Sequence, residues 1–365
     1  MYKMKTEIKT AIACVIIISI GIIAISTYYN NIDPASNTTS NVGVYDKSQL
    51  NKAPNLFDGT EYINIEKNEL EDAIEGKVVL YDIWTYSCIN CIRTLPYIID
   101  WDEKYSDKGL VIIGVHTPEF EFEKNYENVV FATKKFGIEY PVLQDNEKEI
   151  WNDFQNRYWP RKYIADHEGY IRFDHIGEGA YKETEEVIQL LLAERTETIG
   201  KTLEKKNFVE LDEFEHALFR TPELYFGFSF AEGRNQLGNE QGFSKNKLVT
   251  YQLPEQFREH HFYMEGIWKN NNDGMKLVSD SGKIVLNFNA KQVNIVASEK
   301  AILNIEYDGG QIPEQVRGQD VSSESTVKIL EPRLYNLIDS QQEGAHEIII
   351  RVESPGFEIF TFTFG

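Results

Sequence analysis

Cys88-Ile89-Asn90-Cys91 is the segment of this chain best equipped for chemistry. Two intervening residues let the sulfurs close into a small disulfide ring. An apolar strand signal, Val78 to Trp84, precedes the pair, and Ile92, Leu95, Ile98 and Ile99 follow it at helical spacing. Cys88 therefore falls at a helix N-terminus, where unpaired N–H groups and the macrodipole stabilise a thiolate. The third cysteine, Cys14, lies in an apolar run near the start, so outside that run Cys88 and Cys91 have only each other as partners. Two other readings stand beside a reversible disulfide, a structural zinc site and an inert disulfide. Zinc wants four ligands, commonly two such pairs; here there is one pair, and His167 and His175 are spaced too widely to complete it. An inert bond across so short a loop adds little stability. No metal is expected, and no cofactor beyond the Cys88–Cys91 disulfide itself.

The elements that must position the pair read as an α/β unit. From about 60 to 196, strand and helix signals alternate. Val78 to Trp84 and Leu110 to Val115 are near-continuous apolar runs suited to a sheet covered on both faces. Val129 to Phe136, Ile150 to Phe154 and Val187 to Leu192 read as helices. Tyr163–Ile164 and Tyr170–Ile176 read as a hairpin turning at His167-Glu168-Gly169. The order β-α-β-α-β-β-α predicts an α/β sandwich with a mixed sheet. Residues 197–220 are charged and read as a linker or connecting helix. Beyond them the period changes: Ile284, Leu286 and Phe288 alternate, as do Leu303, Ile305 and Tyr307, then Ile348, Ile350 and Val352, and finally Phe360, Phe362 and Phe364. Asp308-Gly309-Gly310 and Ser354-Pro355-Gly356 supply turns. This half predicts an all-β sandwich or jelly roll.

The segment Asp82-Ile83-Trp84-Thr85-Tyr86-Ser87-Cys88-Ile89-Asn90-Cys91 resembles the active-site segment of thioredoxin-fold proteins, and most nearly the TlpA-like redoxin domain of DipZ-type thiol-disulfide proteins. Asp82, six residues before Cys88, matches a buried carboxylate of that family. Pro96, five after Cys91, matches the proline that kinks its first helix. Trp159-Pro160 matches its cis-proline loop beside the disulfide. Gly114 to Phe120, Phe122-Glu123-Lys124, Asn156 to Pro160 and Gly177-Glu178-Gly179 are similar to the same subfamily. Thr221 to Gly227, Ala290-Lys291 and Phe360 to Gly365 resemble the β-rich module that follows the redoxin domain. The likeness covers roughly 55 to 365.

The resemblance implies roles. Cys88 is the nucleophile and Cys91 resolves the mixed disulfide. Asp82 takes the proton that Cys91 loses, and Pro160 shapes the groove for an extended target. Trp84, Tyr86, Trp159 and Glu119 are the groove candidates, Trp84 and Tyr86 chiefly as packing around the pair. His116 and Glu119 approach from the end of the next strand. In the β-rich half, Tyr225, Tyr251, Tyr263 and Trp268 are offered as a sugar-stacking platform, with core packing as the commoner fate of any one ring. That module is carbohydrate-binding-like in the family, which implies glycan contact.

Length and charge bound the rest. At 365 residues the chain holds two domains on a prior of roughly 150 residues each. A net charge of −21 argues against nucleic acid or an anionic membrane face as the main partner. Lys3, Lys5 and Lys9 precede the apolar run Ala11 to Ser26, and Tyr28 and Tyr29 follow it. This reads as a single transmembrane helix with its N-terminus in the cytoplasm, or as a cleaved signal ending near Ala24-Ile25-Ser26. The expected plan is an anchor or signal over 1–29, a tether over 30–54, the redoxin domain over 55–196, a linker over 197–220 and the β-rich domain over 221–365. The domains then work on the extracytoplasmic side of the cell membrane. DipZ-type proteins carry an electron-delivering multi-span region; with one span here, the resemblance implies a separate membrane donor of the CcdA or DsbD kind. The function expected is reduction of disulfides in exported proteins. The alternatives are a disulfide oxidant or isomerase, a surface glycan- or protein-binding protein, and, more distantly, a peroxidase.

Overall fold

The strand ahead of the cysteines sits at the centre of a sheet. Glu61–Ile63 (β1), Val78–Trp84 (β2), Leu110–His116 (β3), Val142–Gln144 (β4), Arg161–Ala165 (β5) and Ile171–Ile176 (β6) form six strands in the order β1-β4-β3-β2-β5-β6. β2, β3 and β4 run parallel and the outer pairings are antiparallel, so the sheet is mixed. This computed structural model describes residues 47–200, 207–211, 214 and 220–365. The expected anchor over 1–29 and most of the tether lie outside the described residues. Among the described residues, no helix is long and apolar enough to cross a membrane.

Five helices cover the sheet: Leu70–Ile74 (α1), Ile89–Tyr105 (α2), Tyr126–Lys135 (α3), Glu149–Asp153 (α4) and Tyr181–Thr198 (α5). Val78, Leu80 and Trp84 of β2 pack with Ile98 and Trp101 of α2 and Leu191 of α5. Val79, Tyr81 and Ile83 point the other way, toward Leu70 of α1 and Ile150 of α4. Because both faces are covered, β2 reads as a near-continuous apolar run. The exception is Asp82, which alternation puts on the α2 face. β1 and β4, at three residues each, escape sequence reading because so short a run shows no period. Within the expected linker, residues 207–211 are docked on the helices: Val209 N–H donates to Glu185 Oε2 at 2.7 Å, and Tyr97 OH to the Leu211 carbonyl at 3.1 Å.

The second half is all-β and antiparallel. Its strands are Leu224–Tyr225 (β7), Leu248–Tyr251 (β8), Phe262–Asn270 (β9), Met275–Leu277 (β10), Gly282–Asn289 (β11), Gln292–Ser298 (β12), Ala301–Tyr307 (β13), Thr326–Ile329 (β14), Arg333–Asp339 (β15), Ala345–Val352 (β16) and Glu358–Phe364 (β17). They connect in the order β14-β13-β16-β11-β9-β10-β17-β12-β15, with β7 on β17 and β8 on β9. The first half of β9 pairs with β11 and its second half with β8 and β10, so one strand carries the chain around the core. Gly266 stands at that change with φ +110, where a Cβ would meet the Ser281 carbonyl at 2.9 Å. The result is nearly barrel-like. Trp268 is 0% exposed, and Tyr225, Tyr251 and Tyr263 are also buried. These rings form no sugar-stacking platform: Tyr251 and Trp268 lie in the β core, Tyr225 packs against the first half, and Tyr263 is buried beside Phe257.

A bulge joins the two halves. Val296 pairs with Thr361 and Ala297 with Ile359, leaving Phe360 as the extra residue of β17. The insertion reverses the alternation. Ile359, Phe362 and Phe364 face the β core, while Phe360 turns outward onto Phe120 and Phe122, with ring centroids 5.2 and 4.7 Å away. Ile89, Ile92, Tyr225, Val296 and Leu334 join this cluster. Arg93 Nη2 donates to Gln292 Oε1 at 2.5 Å, and Glu121 N–H to Asp273 Oδ2 at 2.8 Å. The contact places the β-rich half against the first turn of α2.

Candidate active site

Three loops meet at one end of the sheet. The chain leaves β2 into Thr85-Tyr86-Ser87-Cys88, leaves β3 into Thr117 to Phe120, and enters β5 through Trp159-Pro160, a cis peptide. Register brings them together: Trp84 lies opposite His116, Thr117 N–H donates to the Trp84 carbonyl at 3.0 Å, and Arg161 lies opposite Ile83. Trp159 Nε1–H donates to the Thr117 carbonyl at 3.0 Å, and its ring packs on Trp151 at 4.2 Å, which fixes the proline loop to the β3 loop.

Cys88 is the N-cap of α2. Its extended backbone (φ −80, ψ 117) aims the side chain back at the helix start, and its Sγ accepts the Cys91 N–H at 3.3 Å. Both cysteines are free thiols; Cys88 is half-buried and Cys91 buried. Against the expectation of a stabilised thiolate, the Cys88 thiol is pushed up. Burial is the main cause, and the Glu119 and Glu223 carboxylates add to it. The Cys91 thiol and backbone N–H pull the other way without winning. Cys91 is pushed up further, by burial and then by Cys88, with Asp82 adding to the effect. So Cys88 meets solvent first and is the easier of the two to ionise.

The floor is built from β2 and β5. Asp82 is 1% exposed and Lys162, its register partner on β5, is 0% exposed. Burial pushes Asp82 up to about 7 although Lys162 opposes the shift, and its Oδ1 has no hydrogen-bond partner. Burial brings Lys162 down to about 8 against the pull of Asp82 and Cys91; its Nζ donates to the Gly177 carbonyl at 3.1 Å. Burial thus draws both groups from opposite sides toward neutral pH. Lys162 is not among the residues expected from sequence, because the pair Arg161-Lys162 ahead of Tyr163-Ile164-Ala165 looks like a solvated strand start.

The wall beside Cys88 comes from the β3 loop and the β-rich half. Glu123 is fully buried; Ser87 Oγ–H donates to its Oε1 at 2.6 Å, and the Glu119 and Phe120 N–H groups donate to Oε2 at 2.7 and 2.9 Å. One carboxylate thus ties the cysteine loop to the β3 loop. Glu119 is half-buried. Burial, helped by Glu223 and Glu123, pushes it up to about 8, while Glu223 is more open to water, which screens its own shift. Tyr225 OH lies 3.0 Å from Glu119 Oε1 and 2.9 Å from Glu223 Oε2.

Trp84 is 0% exposed and does not line a groove; β2 alternation turns it under α2, edge-on to His116 at 5.3 Å. His116 stacks on Tyr86 at 5.5 Å, and burial drives it down to about 3, so it stays neutral. Tyr86, with Ile92, Arg93, Phe131, Asn294 and Leu334, lines a cavity of about 330 Å³ between the two halves. Pro160 is buried at the loop junction and Trp159 is half-buried there. His260 Nδ1 contacts Thr221 Oγ1 at 2.9 Å, an ordinary loop contact.

Comparison with known proteins agrees with this geometry. Residues 76–171 match the thioredoxin-like family, and residues 221–365 match the thioredoxin like C-terminal domain. Protein DipZ of Mycobacterium bovis is 31% identical over 315 residues, which are 86% of this chain and 43% of DipZ. The chain resembles DipZ and the TlpA-like thioredoxin proteins. The chain spans less than half the length of the DipZ proteins it matches. NHL repeat-containing protein 2 of Bos taurus is 38% identical over 128 residues, 34% of this chain and 18% of its own. Thiol-disulfide oxidoreductase YkuV of Bacillus subtilis is 27% identical over 141 residues, 39% of this chain and 94% of its own.

Proposed function

We propose that this protein is a membrane-tethered, extracytoplasmic thiol-disulfide oxidoreductase that reduces disulfides of exported proteins. The observation that carries the reading is the capped pair: Cys88 Sγ at the start of α2, half-open to solvent, with Cys91 buried behind it. The Cys88 thiolate attacks one sulfur of a target disulfide. A Cys88–target bond forms, the target S–S bond breaks, and the second target sulfur leaves with the electron pair and takes a proton. Cys91 then gives its proton to Asp82 and attacks Cys88 Sγ. The Cys88–Cys91 disulfide forms, the first target sulfur leaves as a thiolate, and two electrons have passed to the target. Lys162, paired with Asp82 in register, holds charge beneath the pair while the proton moves.

The surroundings of the thiols support the reducing direction. A strong oxidant keeps its reduced form stable, chiefly as a thiolate. Burial and nearby carboxylates here disfavour the Cys88 thiolate, which favours giving electrons away. The oxidised pair then needs two electrons and two protons from a dithiol, for which a separate membrane protein of the CcdA or DsbD kind is the proposed source. The tether is read from the apolar run Ala11 to Ser26 and its lysine flank.

Redox titration of the full-length chain against glutathione and dithiothreitol buffers tests the reading. A potential near or below about −230 mV is expected, and one near about −120 mV makes the protein an oxidant. Absence of any reversible two-electron transition sinks the redox reading altogether.

A further inference from the structure

β7 is two residues long, yet it brings the β-rich half into the thiol site. Tyr225 is nearly buried, its ring stacked on Phe230 at 5.2 Å and faced by the Arg234 guanidinium at 4.8 Å. Its hydroxyl lies within hydrogen-bond distance of two carboxylates from different halves of the molecule, Glu119 at 3.0 Å and Glu223 at 2.9 Å. A phenol carries one hydrogen. It satisfies one carboxylate; the second contact becomes a hydrogen bond when that carboxyl is itself protonated and donates to the phenol oxygen. The arrangement is therefore complete with two protons among the three groups, one more than the phenol alone carries. Ile89, adjacent to Cys88, packs in the same cluster as Tyr225, and both carboxylates act electrostatically on Cys88.

We propose that Tyr225 and Glu223 of the β-rich half complete the redox site as positioning residues: with Glu119 they share one proton beside Cys88, so that a single negative charge faces its sulfur. This rests on the disulfide-exchange reading above. The other charged groups around the triad are Glu123 and Lys148 beside Glu119, Arg220 and Arg234 beside Glu223, Arg93 of α2 facing Cys88, and Cys91 over Asp82 and Lys162. When the shared proton leaves, near the pH of about 8 at which Glu119 titrates, the charge facing Cys88 doubles and its thiolate is disfavoured. The β-rich half thereby limits the rise of Cys88 reactivity in alkali.

The rate of Cys88 alkylation by iodoacetamide, followed from pH 6 to 10 in the reduced full-length chain by peptide mapping that separates Cys88 from Cys91, tests this. Glu223→Gln removes the second charge. Its profile should follow the wild type near pH 6.5, where one charge faces Cys88 in both proteins, and rise above it beyond about pH 8. A shift of about one pKa unit makes about tenfold more thiolate. Lower basicity makes each thiolate about threefold less nucleophilic, so the rate at pH 9 should be about threefold higher. Tyr225→Phe keeps the ring packing and removes the hydroxyl that stabilises carboxylate charge, so the break in the profile should move to higher pH. Profiles that superimpose for both variants and wild type overturn the proposal, as does a Glu223→Gln profile offset equally at every pH. If Glu223→Gln does not fold, the Tyr225→Phe break decides: unmoved, it overturns the proposal. A wild type that shows the predicted break but reduces no disulfide would overturn the exchange reading and leave the triad standing.

Discussion

The floor beneath Cys91 and the wall beside Cys88 are built in different ways. The floor is local. Asp82 lies on the strand that leads into the cysteines, and Lys162 is fixed opposite it by strand register. The wall is assembled across more than a hundred residues of chain, from Glu119 and Phe120 on one side and Tyr225, Glu223 and Phe360 on the other. Strand pairing determines the floor, so it stands or falls with the sheet. Side-chain packing between two cores determines the wall, which can be altered while both cores stay folded.

Four experiments break or sharpen this contrast. The largest effect belongs to the residue both regions serve. Cys88→Ser should reduce disulfide reduction to background, whereas Cys91→Ser should accumulate a mixed disulfide on Cys88, visible as an added mass on non-reducing analysis. Next comes the wall. Phe360→Ala empties the buried contact with Phe120 and Phe122, and by the usual cost of such truncations should remove about 3–5 kcal/mol from unfolding in denaturant. A loss below about 1 kcal/mol would mean the halves are held mainly by polar contacts such as Arg93–Gln292.

Asp82→Asn addresses the floor. It should slow resolution of the mixed disulfide by about a hundredfold at neutral pH, at the low end of the range for removing a positioned acid–base group. It should also change how stability depends on pH. The folded carboxyl titrates near 7 and its ordinary value is 3.8, so the native state binds a proton that the unfolded chain releases between those values. Its contribution is fully present below about pH 4 and is lost as pH rises toward 7. The difference between wild-type and Asp82→Asn unfolding free energies should trace that decline; a flat difference would put the carboxyl in contact with water. The smallest effect is expected at Trp84→Phe. The buried indole N–H has no partner, so losing it offsets part of the lost packing, and the change should stay within about 1 kcal/mol.

The same contrast explains what the sequence makes legible. Asp82 is picked out only by the family resemblance, whereas the Cys88–Cys91 pair, the strand before it and the helix after it can be found by spacing, because local period positions them. The β-rich half is legible as strands for the same reason. Lys162 carries no such signal, since a lysine beside Arg161 acquires a role only once β5 is known to lie beside β2. Trp84 shows the converse: proximity in sequence suggests a groove residue, and the pleat turns it inward. The wall is the least legible. Tyr225 and Phe360 look like any other aromatic residues of a β domain, and nothing in local alternation marks the one that an unpaired residue turns outward.

That unpaired residue has a consequence for how the strand can change. Because Phe360 is the one residue of β17 without a partner on β12, its loss would restore regular pairing and leave both flanking segments in phase with their own neighbours. Deleting it should therefore be better tolerated by the β core than deleting Phe362, which would draw Thr361 into an inward-facing position. A single codon thus removes the ring that turns from the β domain onto Phe120 and Phe122, while polar contacts such as Arg93–Gln292 and Glu121–Asp273 remain.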